Sequence, residues 1–151
     1  MLKSYEKHVE ERALQNIPPL PLDADQTSQL IKLLKSEHKE SELLLNLLKE
    51  RVPAGVDQAA YIKAAFLNDI ADGKVKSHYI SKLDAVEILG TMLGGYNIQP
   101  LINCLKNEEL AETACDKLSN TLLIFDAFNE IFELSKTNKS VSYTHLRAHE
   151  T

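Results

Sequence analysis

The chain predicts an all-α fold, a short α-solenoid of about seven or eight helices in antiparallel pairs, on three observations. Apolar residues recur at helical spacing almost throughout. Leu30, Leu33 and Leu34 follow i, i+3, i+4, and the sets Ala60, Ala64, Leu67, Ala71 and Leu110, Ala114, Leu118, Leu122 make further stripes. β-branched residues are sparse beside Leu, Ala, Glu and Lys, so local propensity agrees with that period. Turn and cap residues mark a pair-to-pair step of roughly 30–40 residues, comparable to helical repeats. A globular helical bundle is the competing arrangement of the same helices.

Each element has a chemical start or stop. Ile17-Pro-Pro-Leu-Pro21 cannot continue a helix, because its prolines lack N–H groups and push their neighbours to extended geometry. Asp23 with Gln26 three residues on forms a capping box that opens a helix near 25–36. Leu43, Leu44, Leu47 and Leu48 carry a partner helix near 40–51, closed by Pro53-Ala54-Gly55. Asp57 caps a helix near 57–72, and Gly73 stands where a left-handed residue ends it. Ser81 and Asp84 repeat the capping pattern for a helix near 82–93, which Gly94-Gly95 terminates. Asn97 caps the next helix, near 97–106, with Pro100 at about its third position. Asn107, Glu108 and Glu109 open a helix near 108–118 at the end that favours negative charge. A last helical segment falls near 119–136.

Composition excludes several classes of function. The 151 residues suit one domain, and two cysteines cannot make a disulfide framework. The start Met1-Leu2-Lys3-Ser4-Tyr5-Glu6 lacks the apolar region of a secretory signal, and no apolar run approaches the roughly 20 residues of a membrane helix. Lys+Arg 17 against Asp+Glu 22 leaves a formal charge of −5, which opposes a whole-domain attraction to nucleic acid or anionic lipid. The expectation is a soluble cytoplasmic domain without membrane contact.

Motifs that carry chemistry are absent. No Gly-rich phosphate loop, H-E-x-x-H or C-x-x-C occurs, and Cys104 and Cys115 read as small buried hydrophobes in separate helices. His8 and His38 sit among charged neighbours and read as solvated. His78 lies in the only basic stretch, Lys74–Tyr79, which reads as surface lysines without a ligand. Asn138-Lys139-Ser140 matches a glycosylation sequon that is incidental without a secretory signal. No catalytic residue, cofactor-binding residue or metal ligand is assigned.

The segment Gly90–Ile102 is the one that composition does not explain. Its adjacent glycines allow close backbone approach or positive φ, and Tyr96 and Asn97 then place polar groups at a helix start. The plain reading is a tight interhelix turn with Tyr96 packed as a lid. The sharper reading is a surface, formed by Gly94, Gly95, Tyr96, Asn97 and Gln99, that docks another domain or borders a ligand channel.

The end of the chain departs from everything before it. His145 and His149 have helical i, i+4 spacing, but two ligands without a third are weak grounds for a metal site. Residues 141–151 resemble one reading frame of the adapter DNA used in sequencing libraries. The expected organisation is therefore a helical domain over 1–140 and a non-native tail over 141–151, with natural polypeptide continuing past about Ser140.

Four stretches carry a resemblance: Tyr5–Ala13, Arg51–Tyr61, Gly90–Ile102 and Leu118–Asp126. In this order they look very like the bacterial aconitate hydratase B family, over nearly the whole chain to about Leu134. The resemblance implies an N-terminal HEAT-like helical domain, truncated from a larger hydro-lyase. That enzyme isomerises citrate to isocitrate via cis-aconitate and hydrates 2-methyl-cis-aconitate. It also implies a [4Fe-4S] cluster in the parent, held by three cysteines of later domains, whose motif Cys104 and Cys115 do not match. Cofactors are thus expected to be absent from this piece. Its implied roles are packing on the catalytic domains of the same chain, shaping active-site access and self-association as a homodimer. RNA binding enters by resemblance alone. The alternative is a free-standing α-solenoid adaptor for a protein or RNA partner. An in-frame continuation of the gene past codon 140 separates the first reading from the second, which requires a native stop.

Overall fold

The structure, a computed structural model, describes residues 1–121 and 128–137. Leu122, the sequon at Asn138 and the whole of 141–151 with His145 and His149 lie outside the described residues. The described residues form eight α-helices and no strand: α1 (Leu2–Leu14), α2 (Ala24–Leu34), α3 (Ser41–Asn46), α4 (Gln58–Ala71), α5 (Lys82–Leu89), α6 (Ile98–Cys104), α7 (Glu108–Ser119) and α8 (Phe128–Thr137). The all-α expectation holds.

Packing follows chain order. The main contacts join α4 to α5 and α6 to α7, as the predicted pairs require, and join α2 to α4, α4 to α6 and α5 to α7 across pairs. Leu30, Leu34, Leu44, Leu48, Leu67, Leu89, Leu101, Ile102, Leu105, Leu110 and Leu118 are fully enclosed in one continuous core. Burial of these side chains against neighbouring helices is what holds short helices of this kind, since propensity alone leaves them marginal in water.

Local capping chemistry is largely as read. The Asp23 carboxylate accepts from the Gln26 amide at 2.8 Å while the Gln26 side chain accepts from the Asp23 amide at 3.0 Å. Ser81 and Asp84 repeat the same box, and the Asp57 and Asn107 side-chain oxygens accept from Ala60 N–H and Glu109 N–H. Gly73, at φ 79°, closes α4: its own amide donates to Ile70 and that of Lys74 to Asp69, which satisfies carbonyls the helix leaves open.

Three elements depart from expectation. The predicted 40–51 helix is α only to Asn46; Leu47–Arg51 forms a π turn, with Val52 N–H reaching back to Leu47 at 3.2 Å. That wider turn ends at Arg51, whose guanidinium donates to Tyr5 Oη at 2.7 Å and to the Pro19 carbonyl at 2.8 Å, while its own carbonyl accepts from Leu22 N–H. Helix α1, which apolar Leu2, Tyr5 and Val9 could have announced, is thus tied with the proline strap to the π turn. His8 belongs to this knot: it is half-buried and its Nε2 accepts from Leu20 N–H at 3.0 Å, so it is not freely solvated. His38 is likewise half-buried, its backbone amide and carbonyl both bonded to the Tyr79 hydroxyl.

The third departure is α5, which stops at Leu89 and not near 93. Two tight turns follow, Thr91 N–H to Ile88 and Met92 N–H to Leu89, after which the amides of Leu93 and Gly94 leave the helix and both donate to the Ala54 carbonyl, at 2.8 and 3.1 Å. A distant loop has taken the hydrogen bonds that another helical turn would have used.

Candidate interdomain surface

The sequence marks Gly94, Gly95, Tyr96, Asn97 and Gln99, and the structure gives each a different task. Gly94 lies directly on the backbone of Gly55, so close that a Cβ there would fall on the Gly55 carbonyl. Gly95 has φ 94°, a left-handed value that a side chain resists. Together they let the 91–97 loop lie flat on the 53–57 loop.

Tyr96 stands where these loops meet. Its hydroxyl donates to the Val56 carbonyl at 3.0 Å, and its ring meets Tyr61 edge-on, with centroids 5.4 Å apart. The expected cap at Asn97 does not form. Asn97 is buried, and its Nδ2 turns back to donate to Leu89 O at 2.7 Å and Met92 O at 3.2 Å. It therefore closes the C-terminal end of α5 rather than opening α6, because the carbonyls freed by that early stop need a donor. Gln99 is exposed and donates to Asn103 along α6 at 3.3 Å. Asn97 is accordingly an internal tie, and only Tyr96 and Gln99 of the marked side chains face solvent.

What sequence reading missed is the company Tyr96 keeps. Val56 is 74% exposed, Tyr61 52%, Leu93 78% and Tyr96 38%, and the bonds just described bring the loops and helix that carry them to one corner. Scattered exposed apolar residues need no explanation, whereas several gathered at one corner make that corner a candidate contact surface. Residues 56 and 93 are too distant in sequence for periodicity to have joined them.

Beside this corner, sharing the Ala54 loop and Thr91, runs an open groove of about 440 Å³ lined also by Lys49, Glu50, Asp84, Glu87 and Ile88. Glu50, Asp84 and Glu87 face Lys49 across it, and Glu87 is already paired with a cation outside the groove. The Lys117 ammonium, 2.8 Å from Glu87, has its pKa raised by that hydrogen bond.

The cysteines do not fit an iron–sulfur cluster. The chain has two where the resemblance implies three ligands, and each is buried in a separate helix. Burial, with Asp72 nearby, pushes the Cys104 thiol up to about 11. Among the described residues no three His, Cys, Asp or Glu side chains gather to hold a metal ion.

Comparison with known proteins gives one consistent result. A family model described as "Aconitate B N-terminal domain" matches residues 4–147. The chain is 52% identical over 141 residues to the aconitate hydratase B of Synechocystis sp., covering 91% of this chain and 16% of that protein. It is 49% identical over 149 residues to that of Pseudomonas aeruginosa, covering 98% and 17%, and 53% identical over 137 residues to that of Escherichia coli, covering 90% and 16%. The chain thus spans about one sixth of the length of these curated relatives.

Proposed function

Because the chain belongs to the family of aconitate B N-terminal domains, we propose that it is the helical scaffold of a larger aconitate hydratase B, carrying none of the groups that react. In this reading the parent isomerises citrate to isocitrate through cis-aconitate and hydrates 2-methyl-cis-aconitate. Its [4Fe-4S] cluster, which supplies Lewis acidity when bound, sits in later domains. This domain packs on the catalytic body, shapes access to the active site and takes part in self-association, in the cytoplasm. Residues 141–151 are read in the same proposal as an adapter-derived addition, into which the family match extends as far as residue 147, and the gene past codon 140 tests this.

One observation carries the reading: Val56, Tyr61, Leu93 and Tyr96 stay exposed on loops and a helix that meet at one corner. Relatives continue for some five times the matched length, so polypeptide is available to cover that corner.

Tyr96 itself is a poor probe, since its ring and hydroxyl already stabilise the loops of the isolated domain. Leu93 and Val56 project and do little internally. The double variant Leu93→Asn/Val56→Asn should leave the melting of the 151-residue chain within about 1–2 °C, as surface changes do. In the full-length polypeptide the same pair should lower cis-aconitate hydration several-fold and speed proteolytic release of the domain. Unchanged activity and unchanged release would refute the docking role.

A further inference from the structure

A second open surface lies near the N-terminal helix. Between α1 and the α3–π-turn segment runs a groove of about 420 Å³ whose lining is mainly apolar. Leu2, Tyr5 and Val9 line it from α1, and Leu43 and Leu47 from the α3–π-turn segment. Leu43 is 38% exposed although it shares its helix face with enclosed Leu47, one turn on. A groove lined by aliphatic side chains from two helical segments can accept the apolar face of a helix.

The rim says what kind of helix. Glu6 and Glu10 both line the groove, one turn apart on α1. Like charges at i, i+4 disfavour a helix by a few tenths of a kcal/mol, and no cation among the described residues pairs with either. Neighbouring Lys7 pairs with Glu11 instead, at 3.8 Å. A lysine or arginine placed between the two carboxylates would relieve the repulsion and fix the register of an incoming helix.

We infer that the α1–α3 groove receives an amphipathic helix from the remainder of the parent polypeptide, its apolar face on Leu2, Val9, Leu43 and Leu47 and a basic residue between Glu6 and Glu10. The inference rests on the scaffold reading above and adds to it a second contact, of stated chemistry. The occupant is assigned to the same chain because most of the length of the relatives lies outside this domain. The acidic rim selects which of its helices can fit.

Hydrogen exchange of full-length polypeptide, compared with the 151-residue chain, tests it. Amides of residues 5–14 and 43–51 should exchange at least tenfold more slowly in the full-length protein. Glu6→Lys/Glu10→Lys in the full-length protein should return α1 to the rate of the short chain, and Leu43→Asn should do the same should the charge reversal disturb folding. Equal exchange of α1 in both lengths, with slowing confined to residues 54–56 and 91–97, overturns the groove and leaves the scaffold reading standing. No slowing in either region overturns both. Slowing in the short chain that grows with its concentration identifies a second copy as occupant and overturns the assignment, as does slowing in the full-length protein that the charge reversal leaves intact.

Discussion

Lys63→Met should raise the stability of the 151-residue chain by about 3 kcal/mol at pH 7, and the gain should vanish as the pH approaches 10.5. Lys63 lies in the middle of α4, is 0% exposed, and its Nζ has no hydrogen-bond partner. A lysine inside a core loses its hydration, and only the charge of Glu50 offsets part of that loss. Desolvation accordingly lowers its pKa from 10.5 to about 8. At 1.36 kcal/mol for each tenfold change in proton affinity, that displacement corresponds to roughly 3 kcal/mol of penalty at neutral pH. The unfolded chain keeps the proton up to 10.5 and the folded chain releases it near 8. Between those values the unfolded state binds more protons, so the wild-type chain gains stability as the pH rises, and below 8 it bears the whole penalty. Met fills nearly the same volume without a charge. Denaturant melts of both proteins at pH 7 and pH 10.5 check the difference. A loss of stability at pH 7 would show that the ammonium is satisfied.

Cys104 titrates in the opposite sense, and for that reason the comparison is between two proteins and not two pH values. Its thiol stays protonated to about 11 when folded, against 9.0 when free, so it makes the folded state less stable as the pH climbs through that window. Both proteins carry this effect and it cancels in the difference.

Gly94→Ala should cost about 2–4 kcal/mol, a fall in melting temperature of roughly 5–15 °C. The added methyl would coincide with the Gly55 carbonyl, a backbone group that cannot rotate away. The loops must part, which breaks the two hydrogen bonds to Ala54 and the one from Tyr96 to Val56. Gly55→Ala is the control: nothing lies within 4 Å of its added carbon, and it should be almost neutral. Gly95→Ala should fall between the two, since its strain at φ 94° is local and separates no loops. Equal effects at positions 94 and 55 would mean that the loops do not touch.

These two residues show where sequence reading stops. Caps at Asp23, Asp57, Ser81 and Asn107 were legible because their chemistry is completed within three residues. Gly73 was legible for the same reason. Lys63 was not, because a lysine beside an alanine stripe reads as a solvated flank, and only packing of α2, α5 and α6 around α4 encloses it. The early stop of α5 and the inward turn of Asn97 were hidden for another reason: their partners, Ala54 and the end of α5, are set by loop contact and not by period. At the candidate surface, Gly94, Gly95 and Tyr96 could be marked from composition. Their meeting with Val56 and Tyr61, some 35 to 40 positions away, depends on how the pairs stack.

The most direct test of the scaffold account is hydroxyl-radical footprinting of Val56, Tyr61, Leu93 and Tyr96, carried out on the 151-residue chain and on the full-length polypeptide under the same dose. The account predicts that these four side chains label readily in the short chain and at least several-fold less in the long one, while exposed Leu83 labels alike in both. Equal labelling of the corner in the two proteins would contradict it.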